Sequence, residues 1–194
     1  MKGNSLVLGY HGCDREFGEA LLAGSAAFKP SVNRYDWLGS GVYFWENNPA
    51  RAREWARFMQ KRGKIKEPFA VGAVLDVGEC LDTTEATSLE AIKASYDALA
   101  KAAALTGEVL PKNKKANSKN EELIFRDLDC LVINYLHALR EEDGLSPFDT
   151  VRGAFWEGRD LYPGSGIKEK THIQICVRSM DNIKGVFRIL PEHG

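Results

Sequence analysis

Two short apolar runs that carry glycines constrain the fold of this chain most. The runs are LVLGYHGC at residues 6–13 and LGSGVYFW at residues 38–45. Their length and their content of valine and aromatic residues favour β-strands over helices. The Gly-x-Gly of the second run lacks the third glycine of a dinucleotide-binding fingerprint and precedes a strand instead of a helix. The runs therefore predict strands at residues 5–11 and 41–45 and exclude a Rossmann unit here.

Cap and turn signals divide the rest of the chain into helices and further strands. Asn48 followed by Pro49 predicts a helix start, and an apolar stripe at helical spacing follows. Asp14 is expected to cap a short helix at residues 15–23. The other predicted elements are strands at 69–77, 151–156, 171–177 and 183–190, and helices from a capping box at 87–90 and over 121–140. This order favours an α+β fold.

Composition indicates one globular domain without a strong electrostatic preference. The chain has 194 residues, of which 44% are hydrophobic and 27% charged, as is usual for a globular protein with its own core. The net charge of −1 excludes a global attraction to nucleic acid or to an anionic membrane.

The expected compartment is the cytoplasm. We find no apolar stretch near the roughly 20 residues of a spanning helix and no signal-peptide pattern at the N-terminus. The four cysteines, Cys13, Cys80, Cys130 and Cys176, lie far apart in the sequence. Their spacing argues against a zinc site and against a disulfide framework, so we expect reduced, mostly buried thiols and no metal.

The strand pattern places several polar and aromatic side chains where they could line a cleft. In an alternating strand at 171–177, His172 and Gln174 project to the same face. Tyr43 of the second run and Trp55 of the following helix would offer two aromatic walls. Aromatic walls suit the flat, positively charged nicotinamide ring of NAD+.

The first run would supply the polar contacts of such a cleft. The backbone at Gly12 can approach a carboxamide closely because no side chain intervenes. His11 can bond a ribose hydroxyl, and an anion near the ribose would stabilise the positive charge that develops when the glycosidic bond breaks.

These motifs resemble the poly(ADP-ribose) polymerase and diphtheria-toxin branch of the ADP-ribosyltransferases. The family signature is His-Tyr-Glu: a His followed by Gly, a Tyr within Gly-x-Gly-x-Tyr-Phe, and a Glu on a later strand. His11 and Gly12 match the first element, and Gly39, Gly41 and Tyr43 match the second. The resemblance implies split antiparallel β-sheets with flanking helices, with His11 holding a ribose and Tyr43 stacking on nicotinamide.

The chain departs from the family pattern at three positions. Ser40 replaces the usual lysine, Cys13 replaces the usual Ser or Thr, and Gln174 is the best match to the Glu. The similarity covers about half the chain, and residues 78–150 are interpreted as a helical insertion within a single domain over 1–194.

The uncharged Gln174 leaves three interpretations open. The enzyme is slower and transfers a single ADP-ribose; or another acid serves, with Glu157 or Asp160 as the candidates; or only binding of NAD or ADP-ribose remains. Losing one preorganised electrostatic group costs roughly 2.7–4 kcal/mol at other active sites.

The resulting hypothesis is a mono-ADP-ribosyltransferase that uses NAD+ as co-substrate. The acceptor is a macromolecule, RNA slightly favoured over protein, and a role as a toxin of toxin–antitoxin or antiphage systems, with an antitoxin partner, is what the resemblance implies. The implied catalytic residues are His11, Tyr43, Gln174 and Glu157, and the implied NAD-binding residues are His11, Gly12, Gly41, Tyr43, Trp55 and Gln174. The alternatives are an inactive NAD-, ADP-ribose- or RNA-binding module and an NAD+ glycohydrolase.

The preference for RNA comes from two basic clusters. One is a loop with Lys112, Lys114, Lys115 and Lys119, and the other contains Lys61, Arg62, Lys64 and Lys66; both could contact phosphates. We expect structural roles for the remaining polar residues: His172 half-exposed on a strand, His137 structural, and Asp127 and Asp129 on a solvated helix face.

Overall fold

The computed structural model describes residues 5–33, 36–115 and 123–190, and in them four helices and nine strands. The strands are β1 (Leu6–Asp14), β2 (Val42–Glu46), β3 (Pro68–Asp76), β4 (Cys80–Asp82), β5 (Lys114–Lys115), β6 (Leu123–Phe125), β7 (Thr150–Phe155), β8 (His172–Val177) and β9 (Ile183–Arg188). The helices are α1 (Arg15–Leu22), α2 (Pro49–Lys61), α3 (Ala86–Thr106) and α4 (Asp127–Glu142), and a short 3₁₀ turn covers Met180–Asn182.

Seven strands form one sheet in the order β4-β7-β8-β2-β1-β3-β9, and β5 and β6 form a separate pair. All neighbours in the large sheet are antiparallel except β4 and β7. The α+β class is therefore confirmed. The expectation of split antiparallel sheets is wrong on two points. The seven strands form one sheet, and β4, from the segment interpreted as a helical insertion, pairs with β7 in parallel.

Local signals explain most element boundaries. The Asp14 side chain accepts from the Glu16 N–H (3.2 Å) and that of Asn48 from the Arg51 N–H (3.1 Å), so both predicted N-caps are confirmed. The predicted capping box at 87–90 is wrong: the N-cap is Glu85, two residues earlier than Thr87, and it makes no side-chain cap hydrogen bond. The last helix begins at Asp127, later than predicted; residues 121 and 122, like Lys119, lie outside the described residues.

The two faces of the sheet carry different cores. The face under α1 buries Phe28, Phe44, Leu75 and Ile175 among others. On the opposite face, α4 covers a cluster that includes Trp37, Leu38, Leu81 and Val151. Also on that face, α2 packs Ala52 against Trp45 and Ala70. The helix α2 thus lies above β1 and β3, while α4 lies above β7 and β8.

All four cysteines are free thiols. Cys130 and Cys176 are buried as expected and Cys13 is buried as well, whereas Cys80, which was expected to be buried, is partly exposed. Over the described ranges, no helix combines the length and apolar content that crossing a lipid bilayer requires.

Candidate active site at the seam of the sheet

The sheet opens between β1 and β2, a boundary that we call the seam. On its other side β1 pairs with β3 along all nine of its residues. Toward β2, its register pairs are Gly9 with Glu46 and Tyr10 with Trp45. Continuing that register would place Gly12 opposite Tyr43. Instead the His11 ring occupies this position, because its Nδ1–H donates to the Tyr43 carbonyl over 2.8 Å.

This arrangement turns the main chain of Gly12 toward the seam. The Leu8 carbonyl accepts from the Asn47 N–H, so it points to the β2 side. In a regular antiparallel strand, alternate residues point their N–H and C=O groups the same way, so Gly12 also points to the β2 side. Its natural ladder acceptor, the Tyr43 carbonyl, is already taken by His11. The N–H and C=O of Gly12 therefore face the opening of the sheet.

No larger residue fits at position 12. A Cβ there would lie 2.3 Å from the carbonyl oxygen of Ala52 and 3.2 Å from Cε3 of Trp55. Distances this short to a helix backbone require the helix to move. The glycine therefore lets α2 lie directly on β1 and keeps Trp55 above the seam.

The His11 ring is neutral and well fixed. It lies against Phe28 and Phe44, with ring centroids 5.3 and 5.7 Å away. Burial lowers the pKa of His11, although the hydrogen bond to the Tyr43 carbonyl raises it in part. Because Nδ1 carries the proton that the carbonyl accepts, Nε2 carries a lone pair that can accept a hydroxyl proton.

The phenol of Tyr43 lies on the opposite face of the sheet from the imidazole of His11. Its hydroxyl donates to the Gly39 carbonyl (2.7 Å) and accepts from the Leu38 N–H (2.9 Å). Burial raises the pKa of Tyr43 well above its usual value. The two motif residues thus meet through the Tyr43 main chain, and the phenol secures the loop before β2.

That loop is also fixed from α4. Asn134 accepts the Ser40 N–H on its side-chain oxygen (2.9 Å), and Arg178 donates to the Ser40 carbonyl (2.9 Å). A Cβ at Gly41 would lie 2.5 Å from Cys176 Sγ. The glycine at 41 therefore allows β2 to approach β8 closely.

Gln174 lies on β8, directly opposite Trp45 of β2. Its side-chain oxygen accepts a hydrogen bond from Trp37 Nε1 over 2.6 Å. This bond fixes the amide, so that its NH2 group remains as the donor toward a ligand. Position 174 therefore offers a hydrogen bond but no charge.

A band of aromatic rings crosses the sheet face on the Gln174 side. Its rings run Trp37, Phe155, His172, Trp45 and Trp55, with successive centroids 5.1, 5.6, 6.4 and 6.0 Å apart. The Arg126 guanidinium lies 5.0 Å from the Trp37 ring and 4.6 Å from the Phe155 ring. Trp55, which is 36% exposed, contacts Trp45, so Trp45 lies between it and the β8 residues.

His172 is buried, so the expectation of a half-exposed strand residue is wrong. The side chain is only 6% exposed because Phe155 and Trp45 enclose it. Its Nδ1–H donates to the Lys170 carbonyl (2.7 Å), and burial lowers its pKa. Among the residues that the structure describes, its buried Nε2, Trp45 Nε1 and Arg51 Nε find no hydrogen-bond partner. Such a group costs about 1–3 kcal/mol, which a ligand or water with matching donors and acceptors would recover.

The two acids proposed from the sequence occupy different positions. Glu157 bonds Arg51 at 3.0 Å and lies 4.0 Å from Lys170, and its negative charge acts on His172 against the effect of burial. Asp160 bonds Lys168 at 2.7 Å and is more exposed. Only Glu157 therefore borders the aromatic band.

Asp127 and His137, for which the sequence predicted a solvated position and a structural role, are both buried. Asp127 is buried at the first turn of α4, so the expectation of a solvated side chain is wrong. His137 is 2% exposed, and neither ring nitrogen has a hydrogen-bond partner in the described part of the chain. Burial first, then the Arg178 and Arg140 charges, lower its pKa to about 3.

Sequence reasoning missed Trp37, Arg126 and Phe155 as parts of the site. Trp37 directly precedes the glycine motif, and Phe155 lies on the strand that pairs with β8, but neither position follows a recognisable spacing. Within the described segments, no group of three His, Cys, Asp or Glu residues could hold a metal ion.

Comparison with known proteins gives one similar chain. No model of a known protein family matches, and no solved structure matches. An uncharacterized protein from Methanocaldococcus jannaschii is 28% identical, over 90% of this chain and 83% of its own length. The similarity thus extends over most of both chains, and the name of the archaeal protein states no activity.

Proposed function

We propose that this protein is a mono-ADP-ribosyltransferase that cleaves NAD+ and transfers ADP-ribose to a macromolecular acceptor. The observation that carries this proposal is the seam. The three motif segments, distant in the sequence, lie on the neighbouring strands β1, β2 and β8. The Gly12 main chain faces the opening between the first two of them, because His11 takes its ladder acceptor.

Each group at the seam has a role that suits NAD+. Gly12 offers one N–H donor and one C=O acceptor, the pair that a carboxamide requires. The His11 Nε2 lone pair accepts a ribose hydroxyl proton, and the Gln174 NH2 donates to a ribose oxygen. Tyr43 and the partly exposed Trp55 supply aromatic surface for the nicotinamide ring, which is cationic until the bond breaks.

The proposed reaction is a displacement at the anomeric carbon of the nicotinamide ribose. The bond to the pyridinium nitrogen breaks, and its electron pair neutralises the leaving nicotinamide. An acceptor oxygen or nitrogen forms the new bond and loses its proton. The sugar passes through an oxocarbenium-like state, which a carboxylate would stabilise; Glu157, beside His172 at the edge of the aromatic band, is the acid available there.

The uncharged Gln174 favours transfer of a single ADP-ribose in this proposal, and it also favours the strongest alternative. Its oxygen is already engaged by Trp37, so it supplies binding but no charge. A module that binds NAD or ADP-ribose without cleaving it would need no more than this. A glycohydrolase would share the whole site and differ only in having water as the acceptor. A cytoplasmic toxin with an antitoxin partner remains the proposed context.

The experiment that tests the proposal follows both products of the reaction. The purified protein is incubated with NAD+ labelled in its adenylate part, together with cell lysate, and free nicotinamide is measured by mass spectrometry. We expect nicotinamide release and label in a fraction that nuclease or protease removes. Nicotinamide release without labelled macromolecule would identify a glycohydrolase, and NAD+ binding without release would identify a binding module.

Variants assign the activity to the seam. His11→Ala should lower nicotinamide release, whereas Lys101→Ala, at an exposed position of α3, should leave it unchanged. Full activity in His11→Ala, with the fold intact by circular dichroism, would refute the site.

A further inference from the structure

A second feature of α2 is a stripe of cations on one side of the helix. Arg53, Arg57 and Lys61 follow each other at intervals of four residues, so their side chains lie above one another at about 6 Å intervals along the axis. The helix has its one acid, Glu54, paired with Arg51. The stripe therefore presents regularly spaced positive charges.

This stripe borders a recess of about 230 Å³. The recess is lined by Arg15, Arg53, Arg57, Phe69, Ala70 and Ile189, together with Pro68. Three of these side chains are cationic and none is acidic. The Arg15 guanidinium lies 4.9 Å from the Phe69 ring, and that of Arg188 lies 5.8 Å from it.

Acidic residues pair with two of the cations at the recess. Glu67 pairs with Arg15, and Glu19 pairs with Arg188 at 2.5 Å. The Arg53 side chain donates to the Leu190 carbonyl over 3.1 Å. Arg57 is exposed and lines the recess, so its guanidinium can reach a ligand there.

The recess lies across β1 from the seam. Ala70, at its base, is the register partner of Gly12, and Phe69 is the partner of Cys13. Directly opposed residues of an antiparallel pair are about 4.5–5.5 Å apart between Cα atoms. The recess is therefore separated from the seam by the width of one strand, β1.

We propose that this recess and the cationic stripe bind the phosphodiester backbone of a single-stranded nucleic acid. Guanidinium groups bind phosphate oxygens in a bidentate way, and evenly spaced cations fit an evenly charged chain better than a single anion. The lining includes the Phe69 ring, and an aromatic surface beside cationic groups suits one strand with an unstacked base. Binding of the strand does not depend on the proposed transfer activity. Only the role of the strand as the acceptor of ADP-ribose rests on that activity.

Binding is tested without NAD+. Fluorescence anisotropy of a short labelled oligouridylate is measured at increasing salt, for the native protein and two matched charge reversals. Arg57→Glu should weaken binding about tenfold and lower the salt slope by about 0.7 per lost phosphate contact. Lys101→Glu, the same charge change on α3, should leave both unchanged.

Further variants and probes decide between outcomes. Arg53→Gln, a milder change in case Arg57→Glu perturbs folding, should weaken binding in the same direction. The affinity for an oligothymidylate of equal length, measured in the same assay, shows whether binding requires ribose in place of deoxyribose. Absent binding of either oligonucleotide at low salt, equal weakening by Lys101→Glu, or equally tight binding of polyglutamate would overturn the proposal.

The test separates this inference from the proposed enzyme. If the inference is right, Arg57→Glu still releases nicotinamide into water but labels less nucleic acid, whereas His11→Ala still binds the oligouridylate. Oligonucleotide binding by a protein that never releases nicotinamide would leave the recess assigned and the transferase refuted.

Discussion

The two parts of the sheet on either side of the seam differ in the polar side-chain pairs that they contain. We call β1, β3 and β9 the β3 half, and β4, β7, β8 and β2 the β8 half. In the β3 half, β1 and β3 form an unbroken ladder of nine pairs over an apolar core. The β8 half contains partly buried polar pairs: Gln174 with Trp37, and Arg152 between Glu46 (2.6 Å) and Asp82 (2.8 Å).

This difference indicates a division of roles. The β3 half offers a ligand its main chain at Gly12 and one neutral imidazole, both fixed by regular packing. The β8 half offers fixed side chains and rings. A ligand that uses both halves has to bridge the seam, where β1 and β2 share two register pairs. The predictions below test the seam from each side.

The largest expected effect is on the β3 half, where Gly12→Ala would force α2 away from β1. The new Cβ would lie 2.3 Å from the Ala52 carbonyl oxygen, and a helix backbone cannot yield as a side chain does. We expect a loss of unfolding free energy of about 3 kcal/mol, the upper end for overpacking. Chemical denaturation measures it.

Gly185→Ala on β9 is the matched control for that change. The added Cβ would meet nothing within 4 Å. The unfolding free energy of this variant should therefore equal that of the native protein within experimental error. Equal stability of Gly12→Ala and the native protein would mean that α2 does not press on the seam.

Low pH should destabilise the protein through His137 of α4, the helix that lies above the β8 half. Burial holds the pKa of His137 at about 3 in the folded protein, below about 6.5 in an unfolded chain. Below pH 6.5 the unfolded chain therefore binds a proton that the folded one does not, and stability falls as the pH falls. Between pH 6.5 and 5 this one group removes about 2 kcal/mol.

His137→Leu removes that titration. We expect its unfolding free energy to fall less than that of the native protein between pH 7 and pH 5, measured by urea denaturation at both values. An unchanged pH dependence would mean that His137 is accessible to protons in the folded state. His172 and His11 also have pKa values lowered by burial, so part of the acid sensitivity should remain.

Charge at the β8 side of the seam is tested by Gln174→Glu. The carboxylate can still accept the Trp37 Nε1–H, and it adds the negative charge that an oxocarbenium-like state lacks. We expect the rate of nicotinamide release to rise about tenfold, a part of what one preorganised group contributes. A slower variant with unchanged NAD+ affinity would assign the anionic role to another acid such as Glu157.

What the sequence could predict follows from how local each feature is. The caps at Asp14 and Asn48 depend on neighbouring residues, and both are confirmed. The burial of His172 depends on Phe155 and Trp45 from two other strands, which no local pattern encodes. The same holds for β4, whose parallel pairing with β7 joins segments about 70 residues apart.

The seam itself shows the limit most clearly. The glycine and histidine motifs predicted strands for His11 and Tyr43, and the alternation at 171–177 predicted one for Gln174; these strands are neighbours. Periodicity could not predict that the His11 ring takes the Tyr43 carbonyl from Gly12, because this exchange depends on a side-chain rotamer between two strands. It could not predict either that the imidazole and the phenol lie on opposite faces.

The smallest expected effect tests that exchange directly. In His11→Ala the Tyr43 carbonyl loses its imidazole donor, and the Gly12 N–H becomes free to pair with it and extend the β1–β2 ladder. We expect the Gly12 amide to exchange with solvent more slowly. Its protection free energy, measured by hydrogen-exchange NMR, should rise by about 1 kcal/mol, the contribution of one hydrogen bond. Phe28→Leu removes a ring contact of His11 but keeps the imidazole, so it should leave the Gly12 amide unchanged. If the amide exchanges equally fast in His11→Ala, the seam is held open by the packing of α2 and not by the imidazole, and the division between the two halves lies in the helices above them.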